Sequence, residues 1–116
     1  MSSKNPAQRL QDILENIDAI QAFLGDADFA KFTNDRKTLY AVTRALEIIS
    51  EAPRRLPEKL KGRHPKIDWL AVAAAGNVYR HEYESVDEVQ LWYTVQRELA
   101  GLRAAVISEL KQSAGQ

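Results

Sequence analysis

In the stretch GNVYRHEYESVDEVQLWY, Gly76 to Tyr93, an amide, a guanidinium, an imidazole and a phenol stand close together: Asn77, Arg80, His81 and Tyr83. A helix that only packs against its neighbours needs apolar residues at its inner positions, not these. An imidazole with a guanidinium beside it can give and take a proton while the guanidinium stabilises charge on a phosphate. That chemistry requires no metal. At about 100° per residue, Asn77 and His81 share one face of a helix, and Gly76 and Arg80 share the adjacent one. Tyr83 lies about 200° around from His81 and joins the same site only if the helix frays. The segment EYESVD favours fraying, because Asp87 must start a new helix at a new angle.

Each of these residues also has an ordinary reading. A lone histidine in a small helical protein is usually a surface residue or a hydrogen-bonded core residue. Tyr79 and Tyr83 suit core edges with a wet hydroxyl, Asp87 a helix cap, Trp92 the core, and His64 a loop. No phosphate-binding glycine loop and no nucleophile elbow occurs.

A second cluster is PRRLPEKLKGRHPK, where six lysines and arginines meet one glutamate between Pro53 and Lys66. Arg54, Arg55, Lys59, Lys61 and Arg63 could form an electropositive rim that draws in RNA phosphates. The alternative is a solvated connector containing a short helix.

The elements that must position these groups are helical. In NPAQRLQDILENIDAIQAFLG, Asn5 can cap, Pro6 suits the first helical position and Gln8 completes a capping box. Leu10, Ile13, Leu14, Ile17, Ile20 and Leu24 then keep helical spacing, and Gly25 suits the stop. DADFAKFTND reads as a connector whose Phe29 and Phe32 pack onto the core. A second helix is expected from about Asn34 to Ala52, with Leu39, Val42, Leu46 and Ile49 inward, ended by Pro53 and Pro57. A third starts near Asp68 and runs through WLAVAAAGNVYRHEY, its small residues suiting close approach of a neighbouring helix or subunit. Asp87, with Gln90 three residues on, caps a fourth. There Val89, Trp92, Val95, Leu99, Leu102, Val106 and Leu110 form one stripe about six turns long. These features predict an all-α protein, an antiparallel bundle of four to five helices, in a single domain over residues 1–116.

Composition narrows the function classes. Lysine plus arginine (16) balances aspartate plus glutamate (16), so nucleic-acid binding must rest on a local patch. With no cysteine and two histidines, disulfides and thiolate metal sites are excluded and a histidine zinc site is not expected. No cofactor is expected. MSSKNPAQ is not a secretory signal, and the longest apolar run, WLAVAAA, is too short to span a bilayer. The expectation is a soluble cytoplasmic protein without a membrane segment.

GNVYRHEYESVDEVQLWYTV, preceded by IDW and by YAVTRALEIISEA, resembles the HepT-like branch of the HEPN (higher eukaryotes and prokaryotes nucleotide-binding) domains. The resemblance covers nearly the whole chain. It is carried by the order of the words: His-x-Tyr, Val-Asp, then a tryptophan five residues later. It implies a helical bundle that dimerises through the motif helix, forming a cleft, with metal-independent endoribonuclease activity on RNA. It further implies the toxin half of a type VII-like toxin–antitoxin pair, neutralised by a nucleotidyltransferase antitoxin that adenylylates the motif tyrosine.

On this resemblance His81 matches the family histidine, Tyr83 the modified tyrosine, and Asn77 the polar residue following the motif arginine. The sequence departs at the arginine itself. The family places it five residues before the histidine, where this chain has Gly76. Arg80 lies one turn later and about 40° around the axis, and helix side chains lean toward the N-terminus. Arg80 could therefore fill the vacant position. The rival expectation is a catalytically inactive dimeric binding module that acts through its nucleotidyltransferase partner.

Overall fold

The computed structural model describes residues 6–81 and 88–114; for 76–81 and 114 it describes the backbone alone. The described residues form seven α-helices and a 3₁₀ turn, with no strand among them. These are α1 (Ala7–Leu24), α2 (Phe29–Asn34), α3 (Arg36–Glu51), the 3₁₀ turn (Ala52–Arg55), α4 (Glu58–Gly62), α5 (Trp69–His81), α6 (Glu88–Arg97) and α7 (Leu99–Ala114). The architecture is the expected all-α bundle. α1 packs between α3 and α7, and α3 in turn packs against α5.

The apolar spacing of α1 does what it predicts. Leu10, Ile13, Ile17 and Ile20 are buried, while Leu14 and Leu24 pack against the same core from its edge. Gly25 ends the helix at φ 53°, a left-handed conformation that favours glycine, and its N–H donates to Gln21 O at 3.0 Å. At the other end Asn5 lies outside the described residues. The Gln8 amide reaches forward to Asp12 Oδ1 (2.9 Å) instead of back across the first turn.

The aromatic connector is itself a short helix. Asp28 Oδ1 accepts from the Lys31 N–H at 2.9 Å and caps α2. Phe32 is then fully buried, with its ring centroid 5.2 Å from that of Trp92. Phe29 contacts Trp92 edge-on at 5.8 Å but stays partly exposed. α3 starts later than the sequence suggests, at Arg36, because Asp35 is its cap. The Thr38 hydroxyl donates to Asp35 Oδ2 (2.7 Å) and the Thr38 N–H to Oδ1 (3.3 Å). These bonds hold the Asp35 carboxyl below its ordinary value.

The expected last helix, one stripe from Val89 to Leu110, is interrupted at Glu98. Backbone bonding continues across the interruption, from Glu98 N–H to Thr94 O (2.9 Å) and Leu102 N–H to Glu98 O (3.2 Å). The Thr94 hydroxyl donates back to Gln90 O at 3.0 Å, a bond that bends helices. The stripe also changes phase: Val89 is exposed, whereas Leu91 and Thr94 are buried. From Leu99 onward Leu102 and Val106 face the core as expected.

The Pro53–Lys66 segment contains the short helix α4 and keeps Arg54, Arg55, Lys59 and Arg63 exposed, but it is also pinned to the fold. Leu56 and Leu60 are buried, and the Trp69 indole N–H donates to Lys61 O at 3.0 Å. The principal tie is Glu109 on α7, a carboxylate only 4% exposed. Arg63 grips it with two bonds, Nε to Oε2 (3.0 Å) and Nη2 to Oε1 (2.7 Å), and His64 Nε2 lies 2.7 Å from Oε2. An ionised carboxylate only accepts, so the proton of this last bond sits on His64 Nε2. The Arg63 hydrogen bond, assisted by His64 and opposed by burial, lowers the Glu109 pKa below its ordinary 4.5. A depressed carboxylate contributes stability above its unfolded pKa and loses it as pH falls through the folded one. Glu109→Gln is therefore expected to destabilise the fold by about 1–3 kcal/mol at neutral pH. It should also flatten the acid limb below about pH 4.5, as thermal melts across pH will show.

Candidate functional site

α5 carries the motif. Asp68 starts it as expected, its Oδ1 accepting from the Ala71 N–H at 3.0 Å. The alanines that follow are strong helix formers. Val72 is buried, and the face bearing Ala71 and Ala74 is open. Leu70 is 84% exposed. The backbone remains helical through His81, so Asn77, Arg80 and His81 occupy its last turns in unbroken register. Tyr83 and Asp87 lie outside the described residues, as does any contact of the Asn77, Arg80 and His81 side chains.

The basic cluster lies elsewhere. Arg54, Arg55, Lys59, Lys61 and Arg63 precede α5, and the Trp69–Lys61 bond fixes them at its N-terminal end. At 1.5 Å per residue, His81 stands about 18 Å further along the axis. The five differ in their engagement. Arg63 is bound to Glu109. Lys61 Nζ donates to Pro53 O (3.0 Å) and pairs with Glu58 at 3.1 Å. Arg54 approaches Glu51 loosely at 3.9 Å and is exposed, as is Lys59. Arg55 converges with Arg9 and Arg44 on a cavity of about 300 Å³ between α1 and α3. Asp12, Glu47 and Glu51 share that cavity and balance its charge.

A larger cavity adjoins α5. About 560 Å³ of space separates it from the start of the next helical pair, walled by Leu46 and Ile49 of α3, the α5 alanines, and Tyr93 and Arg97 of α6. The Arg97 guanidinium carbon sits 4.4 Å from the Tyr93 ring centroid, a cation–π pair. Periodicity alone does not mark this pair, although Tyr93 and Arg97 are four apart on one helix and so must adjoin. Glu109 was equally hidden, its only signal being a carboxylate that follows Leu102 and Val106 at core spacing.

In architecture the molecule is an all-α bundle of the HEPN kind, with a polar and basic motif on the final turns of its fifth helix. The family model described as "HepT-like: Ribonuclease HepT-like" matches residues 13–109, and the chain belongs to that family. A Thermococcus cleftensis protein named "Probable ribonuclease HepT" is 40% identical over 94 residues, covering 81% of this chain and 86% of that one. A Methanocaldococcus jannaschii protein named "Putative RNase MJ1380" is 32% identical over 106 residues, covering 91% and 97% respectively. No solved structure matches the chain. Membership in this family supports ribonuclease activity of the HEPN type. No helix among the described residues is long and apolar enough to cross a membrane.

Proposed function

We propose that the chain is a metal-independent endoribonuclease, the toxin of a toxin–antitoxin pair, acting as a homodimer and silenced by adenylylation of Tyr83. The observation that carries this reading is family membership across residues 13–109, a span that contains His81 and, beside it, Arg80. His81 takes the proton from an RNA 2′-hydroxyl as that oxygen attacks the adjacent phosphorus. The 5′-oxygen leaves and is protonated, giving a 2′,3′-cyclic phosphate and a 5′-hydroxyl. Arg80 stabilises the added negative charge on the phosphorane, and Asn77 orients the phosphate or the imidazole. The exposed Arg54, Arg55 and Lys59 of the basic segment guide RNA toward the cleft. A cognate nucleotidyltransferase is the neutralising partner. Incubation of the purified protein with labelled RNA tests the reading. A second reading, a binding module without catalysis, is favoured by Gly76 at the family's arginine position.

Dimerisation through α5 is supported by Leu70, which stands 84% exposed on the motif helix. Burying one leucine side chain stabilises an interface by about 1.5–3 kcal/mol. Sedimentation at micromolar concentration is expected to give a dimer for the wild type and a shift toward monomer for Leu70→Asp. A monomeric wild type contradicts a cleft shared between subunits.

A further inference from the structure

We propose that the cavity between α5 and α6 is a nucleotide subsite. An unstacked base of single-stranded RNA packs on the Tyr93–Arg97 pair, and the adjoining phosphate meets the Arg97 guanidinium. The inference rests on the ribonuclease reading and adds to it where, and in what form, the substrate is held.

Three observations carry it. The cavity holds about 560 Å³, within the range of small-molecule sites and ample for one nucleotide. Its walls have the composition that recognises a flat ring: alanines 71, 74 and 75 leave room on one side, and a phenol with a guanidinium 4.4 Å from its centre forms the other. Bases stack both on aromatic faces and on arginine planes, so the pair offers a platform whichever surface the base meets. Tyr93 is 47% exposed, so its ring is reachable from solvent. Glu98 on the same rim offsets the charge of Arg97. The cavity is therefore not a general anion trap, and its selectivity comes from stacking combined with one phosphate contact.

Position makes the subsite relevant to cleavage. Ala74 and His81 lie seven residues apart on one helix, two turns and about 10.5 Å along the axis. A base seated against Ala74 thus places a neighbouring phosphodiester within reach of the motif end. The Arg54–Arg63 segment, at the far end of α5, is less well placed for that step. Single-stranded rather than paired RNA is implied, because a base inside a duplex presents no face to stack on.

The test uses the full-length protein and a fluorescein-labelled 2′-O-methyl RNA of about ten nucleotides, whose blocked 2′-oxygen prevents cleavage, with its duplex form as comparison. Fluorescence anisotropy is expected to show tighter binding of the single strand. Tyr93→Ala should weaken that binding roughly 5- to 150-fold, the loss of one stacked base. Tyr93→Phe should keep it within about twofold, since the ring face is retained. Arg97→Ala should weaken it and reduce the salt slope by about one phosphate contact. Wild-type binding with an unchanged Tyr93→Ala variant overturns the subsite and leaves the ribonuclease reading standing. A Tyr93→Ala variant that changes oligomeric state in sedimentation makes the cavity an interface between copies and also overturns it. A wild type that neither binds this strand nor cleaves unmodified RNA removes the ribonuclease reading and the subsite together.

Discussion

Replacement of His81 by alanine is expected to lower RNA cleavage by about 10²- to 10⁴-fold, the usual contribution of a positioned acid–base group. Arg80→Ala should cost roughly 10²- to 10³-fold, because a charge held against a developing oxyanion stabilises the transition state more than the ground state. The two variants answer different questions. His81 tests whether the motif is catalytic at all. Arg80 tests whether it does the work of the arginine that the family has where this chain has Gly76. Asn77 and His81 lie one turn apart in a continuous helix, and Arg80 is one turn beyond Gly76. Circular dichroism should show both variants folded, since the described core lies in other residues. Full activity in Arg80→Ala discards the relocated arginine. Full activity in His81→Ala discards the catalytic motif.

Tyr83→Phe is expected to leave folding intact and make the protein resistant to neutralisation by its cognate nucleotidyltransferase. The substitution removes only the hydroxyl that would accept AMP. Attachment of AMP there would add bulk and negative phosphate two positions beyond His81 in the chain. Within about 4–6 Å of His81 such a charge favours the imidazolium and disturbs its acid–base role. The effect on neutralisation should be all or none, because no other atom of the side chain can carry the modification. Co-expression followed by intact-mass measurement is the check. A gain matching one or more AMP units in the wild type, absent from Tyr83→Phe, is the expected pattern. A gain that survives the substitution moves the modification elsewhere, and no gain in the wild type removes this form of control.

Much of the scaffold was legible because it depends on local spacing. Leu10, Ile13, Ile17 and Ile20 recur at three and four residues and are all buried. Asp68 precedes an alanine-rich run and does cap α5. Long-range pairing was not legible. Glu109 stands 46 positions from Arg63 in the chain, and neither residue indicates the other in sequence. The sequence left the basic segment as either an electropositive rim or a solvated connector, and neither reading anticipated the ties of Lys61 and Arg63 to the fold. The interruption at Glu98 escaped for another reason. An apolar pattern that shifts phase by one or two positions still reads as continuous, and Thr94 gives no warning of its bond to Gln90. At the motif, histidine, arginine and asparagine stood out in the sequence because few packing roles explain them together. Tyr83 and the side chains of Asn77, Arg80 and His81 lie outside the described residues. The Tyr93–Arg97 wall is the intermediate case: its i,i+4 spacing was visible, but the cavity it faces is a product of how α3, α5 and α6 assemble.

In the proposed function, the chain cleaves RNA through its own side chains and without a metal. End-group analysis of a 5′-labelled single-stranded RNA, incubated with purified wild-type protein in excess chelator, tests it most directly. Cleavage undiminished by chelator, with 2′,3′-cyclic phosphate and 5′-hydroxyl ends, is expected, as is its loss in His81→Ala. Cleavage that requires a divalent ion, leaves 5′-phosphate ends or persists in His81→Ala contradicts it, as does an inert wild type.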